Sequence, residues 1–158
     1  MKNRIIFSAL LVVATTMIFA FITLPNNFNG KPVTNNKADK GIQFIEADWN
    51  KAIAEAKKQK KLIFIDAYTT WCGPCRMLKQ NTFTDKAVGD YFNKNFINIA
   101  LDMENGDGIA VAQKYQIAAY PTLLIINAEQ TSTWVTEGYM PPAQLLEFGK
   151  SALAQKRN

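Results

Sequence analysis

Residues 62–76 read Leu-Ile-Phe-Ile-Asp-Ala-Tyr-Thr-Thr-Trp-Cys-Gly-Pro-Cys-Arg, and their reading decides the fold. Leu62-Ile63-Phe64-Ile65 is a continuous apolar run ending in Asp66, the pattern of a strand buried on both faces. Cys72 and Cys75, the only two cysteines of the chain, follow six and nine residues after that acid. The Gly73-Pro74 spacer lets both thiols sit on the first turn of a helix, where residues i and i+3 lie over one another. Gly73 and Pro74 are therefore structural, Pro being favoured near a helix start because its missing N–H has no partner to lose there. The two Cα atoms would be about 5–6 Å apart, inside the range a disulfide tolerates. A strand before and a helix after make this a redox dithiol. The competing reading is a purely structural disulfide, but so short a loop restrains the unfolded chain only weakly.

Outward from this stretch, residues 42–46 (Ile-Gln-Phe-Ile-Glu) predict a first strand. Asp48 can cap a helix whose Trp49, Ala52, Ile53 and Ala56 follow the i, i+3, i+4, i+7 rule. Beyond the dithiol, Arg76 to Gln80 continue as helix, and Thr84 or Asp85 caps a second piece through Phe92. Phe96 to Leu101 predicts another buried strand, residues 107–115 a helix, and Thr122 to Ile126 a strand introduced by Pro121. Asn127 to Gln130 predict a hairpin turn into Ser132–Thr136, and a last helix starts near Pro141 and Pro142. The order β-α-β-α-β-α-β-β-α predicts an α/β fold, a mixed sheet of about five strands flanked by about four helices. In such sheets the chemistry lies at the carboxyl end of a central strand.

With these elements placed, residues 42–155 resemble a thioredoxin-fold domain. The residues that carry the resemblance are Asp66, Trp71-Cys72-Gly73-Pro74-Cys75, the stretch Lys114-Tyr115-Gln116-Ile117-Ala118-Ala119-Tyr120-Pro121-Thr122, and Gly138. Asn81-Thr82-Phe83-Thr84-Asp85 also resembles the periplasmic C-terminal domain of the transmembrane thiol:disulfide interchange reductases and exported thioredoxin-like proteins related to it.

The expected chemistry follows. Cys72, at a helix N-terminus, is the nucleophile, because free backbone N–H groups there favour a thiolate. Such sites bring a thiol pKa from about 8.5 toward 7. The thiolate attacks a substrate disulfide, and Cys75 resolves the mixed disulfide. The resemblance implies that Asp66 assists proton transfer to the buried cysteine; the competing reading is a partly exposed strand-end acid paired with a lysine. Thioredoxins place a lysine near this acid on the next strand, and here that position falls on Asn98. Pro121 resembles the cis-proline that faces the dithiol, with a loop able to pair with an extended substrate. Tyr120 stands where thioredoxins carry a smaller residue, and Trp71 with Gly138-Tyr139 would complete the substrate-binding rim.

Composition narrows the rest. The chain has no histidine, which removes Ser-His-Asp and Cys-His catalysis and histidine-ligated metal. With two cysteines and no histidine a tetrahedral zinc site lacks ligands, and Arg76 after Cys75 breaks the haem-attachment pattern. No metal or cofactor is expected besides the Cys72–Cys75 redox couple. Lys2 and Arg4 belong to the leader and account for two of the net +5 charges. The densest cluster, Lys57, Lys58, Lys60 and Lys61, reads as a solvated helix end complementing the dipole, not as a nucleic-acid surface.

Residues 5–24 carry no charge and follow Lys2 and Arg4. At about 1.5 Å per residue they reach about 30 Å, enough to cross a bilayer core. Residues 1–24 thus read as a cleaved signal peptide or a retained membrane anchor, and basic residues before the segment place the remainder outside the cytoplasm. No cysteine follows to carry a lipid. Residues 25–41 read as a flexible linker and residues 42–158 as one domain, a monomer by default.

The Gly-Pro spacer resembles that of cytosolic thioredoxins, whose potential is about −270 mV, against about −120 mV for the strong periplasmic oxidant. The expectation is a reductant of disulfides in exported proteins, itself re-reduced by a membrane electron donor. The alternatives are a dithiol oxidase or isomerase, a carrier for cytochrome c maturation, or a redox-silent peptide-binding module of the same fold.

Overall fold

The computed structural model describes residues 41–156; the leader expected over residues 1–24, and all but the last residue of the linker expected over 25–41, lie outside them. Strand β2 (Leu62–Tyr68) is buried over its first six residues, as its unbroken apolar run requires. It runs parallel to β3 (Phe96–Asp102) on one side and antiparallel to β4 (Thr122–Ile126) on the other. With β1 (Ile45–Glu46) beside β3 and β5 (Thr133–Glu137) beside β4, the sheet has the order β1-β3-β2-β4-β5. β2 is therefore the central strand, and its carboxyl end leads straight into the dithiol.

Alternation along β2 divides the core. Ile63, Ile65 and Ala67 face α1 (Trp49–Gln59) and α4 (Asp107–Tyr115) through Ala52, Ala56 and Val111. Leu62 and Phe64 face α3 (Lys86–Asn95) and α5 (Pro142–Lys156) through Val88, Phe92 and Leu145. Phe64 meets Phe92 edge-on at 4.7 Å between ring centroids, and Phe92 stacks on Phe96 at 4.9 Å. Such pairs add about 0.5–1.5 kcal/mol to their area burial.

The caps are local chemistry. Asp48 accepts the Lys51 N–H at 2.9 Å to start α1. Asp85, rather than Thr84, accepts the Val88 N–H at 2.9 Å to start α3, while the Thr84 hydroxyl turns back to the Gln80 carbonyl. The helix then runs past Phe92 to Asn95.

The helices number five among the described residues, in keeping with the expectation of about four: the dithiol helix α2 (Gly73–Met77), a π-helical turn, Leu78–Thr82, and α3 follow one another between β2 and β3. One expectation is corrected. The first strand, expected over residues 42–46, is only Ile45–Glu46. Side chains take over the backbone groups a longer ladder would need. Asn93 Oδ1 accepts the Gln43 N–H at 2.8 Å, and Asn98 Nδ2 donates to the Gln43 carbonyl at 3.3 Å. The segment is also held by close approach: a Cβ on Gly89 would lie 2.6 Å from the Gly41 backbone, so glycine at position 89 lets the chain pass against α3.

Candidate functional site

Cys72 is the N-cap of α2, and Cys72 and Cys75 form a disulfide with a Cα separation of 5.3 Å. The Cys75 backbone N–H donates to Cys72 Sγ at 3.1 Å, so the first sulfur occupies the place of a capping oxygen. Pro74 lies in the first turn, where its lost N–H costs nothing. Depth does not distinguish the two cysteines, since they are 3% and 2% exposed. What distinguishes them is that only Cys72 lies at the cap, aligned with the free N–H groups of the first turn.

Four residues separated by nearly seventy positions form one rim. Trp71 is 63% exposed and meets Tyr120 edge-on at 5.8 Å. Its indole N–H donates to both carboxylate oxygens of Glu104 at 3.1 Å, a partner not foreseen from the sequence. The Tyr120–Pro121 peptide bond is cis. The Pro121 carbonyl accepts the Gly138 N–H at 2.8 Å. Gly138 has φ +85° with open space around its missing Cβ, so its backbone conformation, not crowding, calls for glycine. The β4 ladder begins at Thr122, which leaves the Tyr120 backbone outside it. Tyr139 adds an exposed ring next to Gly138.

Asp66 is 1% exposed, and neither carboxylate oxygen has a hydrogen-bond partner. It pairs with Ala100 on β3 and Leu123 on β4, and lines a cavity of about 230 Å³ with Glu46, Lys79 and Phe83. Burial pushes its pKa from 3.8 up to about 7; Lys79 pulls it down and Glu46 pushes it up, both by less. Asp66 is thus not the lysine-paired strand-end acid of the simpler reading.

Asn98 is two register positions away, opposite Phe64, with its amide engaged by Gln43 and Asn93. The cation near Asp66 comes instead from the π-helical turn: Lys79, whose Nζ lies 3.6 Å from the centroid of the Tyr68 ring. Sequence reasoning missed it because Lys79 is a surface lysine seven residues beyond Cys72, and only the fold of that turn carries it back over β2. The basic cluster Lys57, Lys58 and Lys60 is exposed at the end of α1, with Lys60 in a left-handed cap conformation.

Comparison with known proteins agrees with this geometry. The Thioredoxin-like family model matches residues 44–128, more than half of the chain. Thioredoxin-1 of Saccharomyces cerevisiae is 39% identical over 81 residues, covering 51% of this chain and 69% of its own. The thiol:disulfide interchange protein DsbD of Pseudoalteromonas atlantica is 27% identical over 109 residues, which is 67% of this chain but only 18% of that protein. The solution structure of a proposed disulphide-isomerase from Bacteroides thetaiotaomicron is 40% identical, with a TM-score of 0.61 over 70% of this chain and 94% of that one. A disulfide spaced Cys-x-x-Cys at the head of a helix, beside a cis-proline loop and under a matching family model, places the chain in the thioredoxin-like family of oxidoreductases.

Proposed function

We propose that this protein reduces disulfides in exported proteins through the Cys72/Cys75 couple. The observation that carries the reading is the Cys72–Cys75 disulfide at the head of α2, with Cys72 Sγ accepting a backbone N–H. In the reduced protein the same N–H favours the Cys72 thiolate. That thiolate attacks one sulfur of a substrate disulfide, forming Cys72–S–S–R and expelling the other substrate sulfur as a thiolate. Cys75 then gives up its proton and attacks Cys72 Sγ, which restores the intramolecular disulfide and releases the second substrate thiolate. Two electrons pass from dithiol to substrate, and no cofactor is needed beyond the couple itself.

Asp66 is the group we assign to take the Cys75 proton. A carboxylate with a pKa of about 7 is suited to that exchange near neutral pH. The exposed Trp71, Tyr120 and the Pro121 loop form the groove for an extended peptide, with the Tyr120 backbone as its hydrogen-bonding edge. Gly73 and Pro74 hold the dithiol's turn, and Gly138 anchors Pro121.

The basic, then uncharged, N-terminal stretch supports an extracytoplasmic location, tethered or released, with a membrane electron donor. The likeness to a proposed disulphide-isomerase favours isomerisation as the second reading. The equilibrium reduction potential of the full chain separates them. A value near about −270 mV supports the reductant, and one of about −180 to −120 mV supports an oxidase or isomerase. No reversible couple would leave a peptide-binding module.

A further inference from the structure

Three helices run out at one end of the sheet, and each carries lysine in its last turn. α1 ends with Lys57 and Lys58 and α3 with Lys94, where the parallel strands β2 and β3 begin, and α5 ends at Lys156. Lys60 and Lys61 join α1 to β2, and the Lys156 ammonium donates to the Lys60 carbonyl at 2.9 Å. β4 runs antiparallel to β2 and ends opposite Ile63, so the turn after it, Asn127 to Gln130, falls at the same end. There the Lys114 ammonium donates to Gln130 Oε1. The dithiol lies at the other end of β2, about 20 Å away for a strand of this length.

Charge thus separates along the strands. Lys57, Lys60, Lys61 and Lys156 line a hollow of about 180 Å³ whose only acid is Glu129. None of these four lysines has an ion pair among the described residues. At the dithiol end the exposed acids are Glu104, held by Trp71, Asp107 and Glu137, against the cations Arg76 and Lys79. A lysine or two at a helix end complements the dipole and needs no ligand. Like charges gathered from several parts of the chain repel one another, and an anionic surface against them relieves that repulsion.

We propose that this lysine end docks on a bilayer surface carrying anionic phospholipid headgroups, and so directs the dithiol away from the membrane toward exported substrates. The occupant follows from where the chain enters the domain. The Gly41 carbonyl accepts the Asn93 amide at 3.1 Å, and the Asn93 carbonyl accepts the Lys61 ammonium at 3.4 Å, so the entry point adjoins the lysine end. Residues 25–40 reach at most about 55 Å, at about 3.4 Å each. A bilayer holding residues 5–24 therefore presents its headgroups to the lysines at high effective concentration. A surface fits better than a small anion, because the cations extend beyond the hollow to Lys94 and Lys114. The inference rests on the tethered, extracytoplasmic reading for its lipid. The hold is electrostatic and reversible, so the undocked domain is free to turn its dithiol to a membrane donor.

The test places the full chain in nanodiscs of phosphatidylcholine, alone or with about 30% phosphatidylglycerol, with a nitroxide on the headgroup of a trace lipid. Paramagnetic broadening of backbone amides is read by NMR. Lys60, Lys61 and Glu129 should broaden more in anionic discs than in neutral ones, and more than Trp71 and Gly138. Salt at about 0.5 M, where charges are screened within about 5 Å, should abolish the difference while the chain stays on the disc. Lys57→Gln, Lys60→Gln and Lys156→Gln together should abolish it too. Lys51→Gln, Lys86→Gln and Lys150→Gln, which remove the same charge elsewhere, should not. Broadening that is equal in both discs, equal at Trp71, or lost in the control triple overturns the docking. A chain that stays on anionic discs with no broadening at the lysine end overturns the docking and leaves the tether standing. A chain washed off neutral discs by salt overturns the tether, and the anionic discs at low salt then decide the docking alone. Inorganic phosphate that shifts the same amides on neutral discs as far as the anionic lipid does overturns the surface in favour of a free-phosphate site.

Discussion

Asp66→Asn should stabilise the oxidised protein, and the gain should depend on pH. The parent carboxyl is protonated to about pH 7 when folded, because burial disfavours its charge, while the unfolded chain ionises it near 3.8. Below the unfolded value both states hold the proton, and the stability associated with the raised pKa is fully present. As pH rises the unfolded state loses its proton first, so stability falls by up to about 1.4 kcal/mol per pH unit until the folded acid ionises. Over the roughly three units between the two values the loss approaches about 4 kcal/mol. Asparagine has the same shape and no charge. The variant should match the parent to within about 1 kcal/mol at pH 4 and exceed it progressively to pH 7, with no further change above. Urea unfolding at constant salt from pH 4 to 9, with the disulfide kept intact, measures this through the transition midpoint. A stability difference that stays constant across that range would refute the reasoning, since it would mean that Asp66 ionises normally in the fold.

Two further outcomes follow from packing. Trp71→Ala removes an exposed ring that meets Tyr120 at 5.8 Å, so kcat/KM for a peptide disulfide should fall about tenfold while the reduction potential stays within about 10 mV; a shift in potential with unchanged kcat/KM would place Trp71 outside the groove. Gly89→Ala puts a Cβ 2.6 Å from the Gly41 backbone, and should cost about 1–2 kcal/mol in thermal or urea unfolding after the helix-propensity gain is subtracted. Faster exchange of the Ile42 amide, which donates to the Phe83 carbonyl at 2.7 Å, would mark the displaced segment, and unchanged stability and exchange would show that the segment yields freely.

These perturbations fall on both sides of a line between local and non-local chemistry. Asp48 and the 107–115 helix were legible because caps and periodicity act within one or two turns. The buried strand was legible over residues 62–66, short of its observed end at Tyr68, because a continuous apolar run is satisfied between two covered faces. The first strand was overextended because its apolar alternation carries no sign of Asn93 and Asn98, some fifty residues away, taking the hydrogen bonds of Gln43. The choice of Asp85 over Thr84 as cap was open because both side chains can accept an N–H, and the π-helical turn turned the Thr84 hydroxyl toward Gln80.

At the site the same division holds. Spacing alone placed Cys72 and Cys75 within bonding reach, since two residues between them and a helical first turn leave little freedom, and it put the acid on the strand before them. The surroundings of that acid could not be read this way. Its register against β3 put Ala100, not Asn98, beside it, and the π-helical turn carried Lys79 to its cavity. Burial of the carboxyl between strands far apart in sequence raises its pKa most, and Lys79 and Glu46 act on it through space by less, so the protonation of Asp66 belongs to the tertiary structure. The dithiol itself was written in the sequence because its geometry is covalent and local; Asp66, Lys79, Trp71, Tyr120 and Gly138 lie on separate parts of the chain, and only folding brings them around it.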